Sequence, residues 1–343
     1  MADQRQRITI IGAGCIGTSM GLALRQSEDA DLFEVIGHDR EYAIAQAGER
    51  RGAFHSAKLN LDMALRDAKL IILAVPLAEM ESTLTDIGRL LPPDTGAIVT
   101  DTAPLKAPVL AWARELLPAG THFIGGDPFL APDIQSQSGP ALLRGHEQAR
   151  ADLFTDAIYT ITARPDDAPH AIETVTNLAM LLDAEPRFMA PAEHDAVRAL
   201  ANALPDLVGS ALLRSVVAAP GWQETSKAIG YSFASVTAAV AEEAASRQLM
   251  AHFSREPLLR GIDALQAELS ELRRHIEAGD SEAIAAAYTE AAEARARWVT
   301  RERAERDASS EPPGLFQRLG RTFLGERLMQ KSQSQPPKRD FEA

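Results

Sequence analysis

The pattern of apolar and polar positions divides the chain into a strand-and-helix half and a helical half. Ile8 to Ile11 is an apolar run that reads as a buried strand, and Met20, Leu22 and Leu24 follow with helical spacing. Residues 33–37 read as a second strand, and residues 42–48 and 61–68 as short helices. Residues 70–75 form another unbroken apolar run, closed by Pro76. Such runs mark strands buried on both faces, as in a parallel sheet. Residues 80–91 and 109–116 predict helices, 97–101 a strand, and 122–128 a strand running into a loop. Residues 135–139 are small and polar and read as a flap, and 157–163 alternate like an edge strand. This succession predicts an α/β domain over residues 1–164, a Rossmann-type doubly wound sheet.

From Pro165 onward strand-like runs nearly vanish. Helical patterns at 168–182, 191–219, 221–247, 258–278 and 281–305 predict an all-helical domain over residues 165–307, rich in alanine. Alanine-rich helices pack closely, either within one chain or against a second copy, and a homodimer through this domain is the expectation. Residues 308–343 read as a linker, a basic amphipathic helix at 314–331 and a flexible tail. That helix would lie on a membrane surface, dock on a partner protein, or fold back on its own domain.

The first two strands bracket Gly12-Ala13-Gly14-Cys15-Ile16-Gly17, and the second ends on His38-Asp39-Arg40. Strand, GxGxxG, helix, strand and an acid about 20 residues on is the dinucleotide-binding fingerprint in its required context. Gly12 permits a tight turn, Gly14 lets backbone approach a pyrophosphate, and Gly17 lets the helix pack on the sheet. Cys15 and Ile16 open the helix, whose unpaired N–H groups face the phosphates. Asp39 would accept hydrogen bonds from the ribose hydroxyls and repel a 2′-phosphate, favouring NAD over NADP. Arg40 would cap the adenine or tolerate a phosphate. Val75 and Pro76, at a central strand end, would line the adenosine side or simply finish a buried strand. Asp101, ending the next strand, belongs to the same crevice.

Charge and composition narrow the partners. The 343 residues carry a net charge of −13, which disfavours nucleic acid, and leave a small-molecule substrate as the partner. A single cysteine excludes an internal disulfide. A polar start and no stretch approaching a membrane span point to a cytoplasmic protein. No His/Cys cluster has metal-ligand spacing, so no zinc site is expected.

In order along the chain, the fingerprint, Ala68 to Leu77, Asp101-Thr102-Ala103-Pro104-Leu105-Lys106, Gly125-Gly126-Asp127-Pro128, Glu193-His194-Asp195 and Asn202-Ala203-Leu204-Pro205-Asp206 resemble the prephenate/arogenate dehydrogenase family. The resemblance covers roughly residues 7–305 and implies oxidative decarboxylation of a cyclohexadienyl ring with NAD, on the way to tyrosine. It also implies dimerisation through the closing helices near 265–280. In that family a Gly-Gly-His-Pro histidine takes the hydroxyl proton, and a loop serine, a Ser-His-Leu-Pro-His segment and a later arginine complete the site. This chain differs at each place. Asp127 holds the histidine position, Pro104 the serine position, and residues 230–236 contain no arginine. The resemblance makes Asp127, Lys106 and His194 the catalytic candidates. Asp127 would serve as a base or as a loop cap, Lys106 would touch cofactor or substrate or lie on the surface, and His194 with Asp195 would orient or cap.

Asp127 and Asp206 would repel a dicarboxylate unless one is protonated or paired, and would suit an amine-bearing ligand such as arogenate. Three readings follow: a divergent NAD-dependent dehydrogenase; a catalytically lapsed NAD-binding sensor or scaffold; or another two-domain dehydrogenase such as an imine reductase. The last would join its domains by one long helix.

Overall fold

The structure is a computed structural model that describes residues 5–131, 145–241 and 244–309. The expected flap at 135–139 and the amphipathic helix at 314–331 lie outside the described residues.

Eight strands form one sheet in the order β3-β2-β1-β4-β5-β6-β7-β8. They are β1 (Gln6–Ile11), β2 (Phe33–His38), β3 (Ser56–Lys58), β4 (Leu70–Leu73), β5 (Ile98–Asp101), β6 (His122–Phe129), β7 (Ile158–Thr162) and β8 (Glu185–Phe188). The first six run parallel and β6 meets β7 antiparallel. Helices α1 (Cys15–Gln26), α2 (Tyr42–Arg50), α3 (Leu61–Leu65), α4 (Leu77–Leu90), α5 (Ala107–Leu116) and α6 (Pro169–Leu181) cover it.

The unbroken apolar runs are explained by this layering. Leu70 and Ile72 of β4 face one cluster, with Met20 and Leu24 of α1 and Val175 and Leu178 of α6. Ile71 and Leu73 face the other, with Met80 and Leu84 of α4 and Val109 of α5. A strand buried on both faces has no polar positions to alternate.

Two expectations differ from the structure. Residues 157–163 are not an edge, because β8 pairs outside β7, which is almost wholly buried. The sheet therefore continues past residue 164 to Phe188. Glu185-Pro186-Arg187-Phe188 is short and mostly exposed, so it carries no periodic signal.

A continuous helical run then spans Pro191–Val217. It consists of α7 (Pro191–Arg198), a π-helical turn (Ala199–Ala203) and α8 (Leu204–Val217). Pro205 lacks the N–H that an unbroken α-helix needs, and the wider turn accommodates it. Against expectation this run is long and apolar enough to cross a membrane by length and composition. Its buried charged residues bind the sheet domain, as shown below, which ties it to the folded body.

The predicted helix 221–247 is instead fragmented. It contains α9 (Trp222–Thr225), α10 (Tyr231–Thr237) and single 3-10 turns before α11 (Ala244–Phe253). Gly221 adopts a positive φ of 88° and Gly230 caps α10, so the chain turns at both. Two long helices close the described chain, α12 (Arg255–Ala278) and α13 (Ser281–Ser309). Met250 of α11 is buried in the second cluster, and the Ala78 N–H of α4 donates to Ser246 Oγ at 3.3 Å. The helical region thus docks beside the end of β4.

Candidate active site

The cofactor crevice is built at the carboxyl ends of β1, β2 and β4. A Cβ at Gly12, whose φ is +93°, would collide with the Ala74 carbonyl, and one at Gly17 would collide with the Gly12 carbonyl. Protein packing therefore requires both. Gly14 is different, because a Cβ there would meet nothing within 4 Å. No neighbour demands a glycine at that position, whereas an approaching pyrophosphate does. The helix behind it has no side-chain cap and no acid in its first turn, so its N–H groups remain available to phosphates. Cys15 is buried and Ile16 partly so at this helix start.

Asp39 faces the same turn. Its Oδ2 accepts the Ala13 N–H at 2.8 Å and its Oδ1 the Glu41 N–H at 2.9 Å. Each carboxylate oxygen keeps a lone pair for a ribose hydroxyl. Arg40 projects from the next position and donates to Glu79 Oε1 at 2.8 Å. Val75 is half-buried and Pro76 exposed at the start of α4. These residues fit a dinucleotide, which when bound supplies the hydride acceptor.

Asp101 and Lys106 are placed otherwise than a contact with cofactor or solvent requires. Both are fully buried and paired with each other. Lys106 Nζ also donates to the Gly126 carbonyl at 2.7 Å, and Asp101 accepts the N–H groups of Ala103 and Gly126. Burial pushes the Asp101 carboxyl up, against the pull of Lys106. The pair fills the gap where β6 leaves β5 to pair with β7. It is a structural brace beneath the site, and Lys106 is not a surface lysine.

Asp127 sits at that divergence, two residues past Gly125, and is buried. Arg198 of α7 grips it in a fork, Nε to Oδ2 and Nη2 to Oδ1, both at 2.6 Å. His194 Nε2 lies 2.9 Å from Asp127 Oδ2, and its Nδ1 lies 3.0 Å from Asp195 Oδ1. Asp195 accepts the backbone N–H groups of Lys106 and Ala107 at 2.6 and 2.9 Å, which caps α5 from another helix. Phe129 lies under the Arg198 guanidinium at 4.0 Å, and Asn202 Oδ1 accepts from Nη1 at 3.0 Å. Burial works to raise the Asp127 pKa. The Arg198 charge and the His194 and Arg198 hydrogen bonds outweigh it and hold the carboxyl below its usual range.

His194 thus bridges two carboxylates, Asp127 on one ring nitrogen and Asp195 on the other.

Asp206 is likewise paired, with Arg247 of α11 at 3.5 Å. The pairing that would relieve the repulsion of a dicarboxylate is thus present, since each acid faces an arginine. Neither Arg198 nor Arg247 was marked by sequence. Arg198 precedes the resembling Asn202 segment by four residues, and only the fold shows that one helical turn brings it over Asp127. The sheet passes into the helical region through the Pro191–Val217 run, which follows β8 after Met189 and Ala190.

Comparison with known proteins fits this geometry. Residues 20–186 match the family described as prephenate dehydrogenase, nucleotide-binding domain. The chain is 24% identical over 286 residues to a prephenate dehydrogenase of Bacillus subtilis, covering 82% of this chain and 73% of that protein. It is 25% identical over 295 residues to a cyclohexadienyl dehydrogenase of Zymomonas mobilis, covering 84% and 95%. The family match and these two relatives support this chain's membership of the prephenate/arogenate dehydrogenase family. Its fold is shared with the prephenate dehydrogenase of Aquifex aeolicus solved with hydroxyphenyl propionate and NAD+, at a TM-score of 0.72 and 18% identity over 87% of this chain and 99% of that one. The relatives are dehydrogenases by name, and the Aquifex aeolicus enzyme that shares this fold was solved with NAD+ bound.

Proposed function

We propose that the substrate is a cyclohexadienyl acid of the prephenate or arogenate type, oxidised and decarboxylated in one process. The hydride leaves the hydroxyl-bearing ring carbon for NAD and carbon dioxide departs; the protein accepts the hydroxyl proton as the ring becomes aromatic and returns it to the phenolate oxygen of the product. The observation that carries this reading is the contact between Asp127, at the position matching the family's histidine, and His194 Nε2 at 2.9 Å. An imidazole is still present at the site, one residue deeper than in the family pattern and reached through a carboxylate.

In this reading Asp127 accepts the hydrogen bond from the hydroxyl and takes its proton, with His194 and Arg198 orienting the carboxylate. The base works in its ionised form, so NADH formation is lost as the pH falls through the depressed Asp127 pKa. Asp127 and Asp206 are each paired with an arginine, so neither stands as a bare charge against a dicarboxylate, and prephenate and arogenate are both fitting substrates.

The test is NADH absorbance with NAD and each acid in parallel, on the parent chain and on Asp127→Asn. We expect turnover with at least one acid and a loss of roughly 100-fold or more in kcat for the variant, the usual worth of a positioned base. No turnover with either acid, while NAD still binds, would sink the substrate class. Full activity in the variant would remove Asp127 from the mechanism.

We also infer a homodimer formed through the helical region, and a cytoplasmic setting in keeping with NAD chemistry and a single cysteine. The segment 314–331 remains a candidate for weak membrane or protein contact on its composition.

A further inference from the structure

Arg40 and Glu79 come from opposite sides of the crevice. Arg40 follows β2, Glu79 lies in the first turn of α4 after β4, and β1 with its glycine turn runs between them in the sheet. The Arg40 Nη1 to Glu79 Oε1 contact of 2.8 Å therefore bridges the two loops over the end of β1, where the adenosine half of a dinucleotide lies. Arg40 is 73% exposed and so is free to swing once released, whereas Glu79, at 33%, is the more fixed partner. Asp39, Glu41 and Glu79 all act on Arg40, so its charge is more than balanced where it stands.

We propose that Glu79 is a cofactor-specificity residue, which holds Arg40 across the crevice and so withholds it from a 2′-phosphate. Arginine beside the ribose acid is the group that ordinarily accommodates that phosphate. Its presence here, directly after Asp39, would blunt the discrimination that Asp39 provides. Tied to Glu79 it does not. The inference rests on the NAD assignment and on no particular substrate.

The experiment is a fluorescence titration of the full chain with NADH and with NADPH, in the parent, Glu79→Gln, Arg40→Gln and the double variant. The parent should bind NADH more tightly. Glu79→Gln should tighten NADPH by roughly three- to fivefold, the size expected of one exposed charge pair, and leave NADH within about twofold. The double variant should lose that gain, which shows that it runs through the released arginine. An unchanged NADPH-to-NADH ratio in Glu79→Gln, or a gain that survives in the double variant, overturns the proposal. A parent that prefers NADPH would overturn the NAD assignment itself, and is read from the parent alone. Because these are binding constants, they stand whether or not a turnover substrate has been found.

Discussion

Asp127 is a buried acid whose behaviour depends chiefly on Arg198. Removing that guanidinium leaves only His194 to oppose burial, so the carboxyl pKa rises and Asp127 holds its proton to higher pH. Arg198→Gln should therefore move the rising limb of the kcat/KM profile to higher pH, and Arg198→Lys should move it less. A profile that keeps its midpoint while activity falls would show that Arg198 only packs. The same variant leaves a nearly buried carboxylate without its partner, a loss of about 3–5 kcal/mol measured by denaturant unfolding at pH 7. The sign with pH follows from the depressed pKa. The stability that Asp127 contributes is present above the unfolded carboxyl value of about 3.9 and is lost as the pH falls through its lower folded value. The parent should thus lose stability in acid more steeply than Asp127→Asn. At this scale the sequence was legible where a residue's job is local. Gly12, Gly14, Gly17 and Asp39 act within one strand-turn-helix unit, and their spacing alone marks them. Arg198 and Glu79 act on residues 71 and 39 positions away, and no spacing marks such pairs.

Among the elements, α7 joins the two halves of the molecule. Asp195 stands where sequence suggested a cap, yet the helix it caps is α5, whose own N-terminus has no side-chain cap of its own. One carboxylate thus ties α7 to the loop that carries the buried Lys106 and orients the His194 ring. Asp195→Ala should cost about 1–2 kcal/mol by thermal or denaturant unfolding, the upper half of the range for a lost cap. It should also lower kcat more than it raises KM, because His194 loses its second contact. Asp195→Asn keeps an acceptor for one N–H and should recover part of the stability without the activity. Equal loss of both in the two variants would mean that the cap and the imidazole are not coupled. The elements that sequence missed share a physical cause. β8 is a four-residue edge with one half-buried position, and the broken stretch before α11 is largely exposed, so neither shows a burial period. The strands read correctly were those whose side chains are buried on both faces.

Considered as a whole molecule, the helical region leaves apolar surface that a single chain does not cover. On α12, Ile262, Leu265, Leu269, Leu272 and Ile276 recur at alternating steps of three and four, the spacing of a seam between helices. Neighbouring α13 does not close over all of it, because Leu269 stays 56% exposed and Ile276 66%. Tyr288 and Trp298 of α13 are also exposed, at 72% and 49%. Large side chains repeated at this spacing on one helix form a patch rather than scattered surface residues, and such a patch marks an interaction site. A second copy of the chain is the occupant we infer, because an isologous contact lets the same stripe meet itself about a two-fold axis. Sedimentation at micromolar concentration should then give twice the 37.0 kDa chain mass. Leu269→Lys with Ile276→Lys should shift the population to the single-chain mass while leaving the far-UV circular dichroism unchanged, since both positions are solvent-facing within one chain. NADH affinity should also survive, because the cofactor crevice lies wholly on β1, β2 and β4 and the turns that follow them. A parent protein that sediments as one chain at tens of micromolar, or a double variant that stays dimeric, would remove this face as the interface and direct attention to the exposed side of the Pro191–Val217 run.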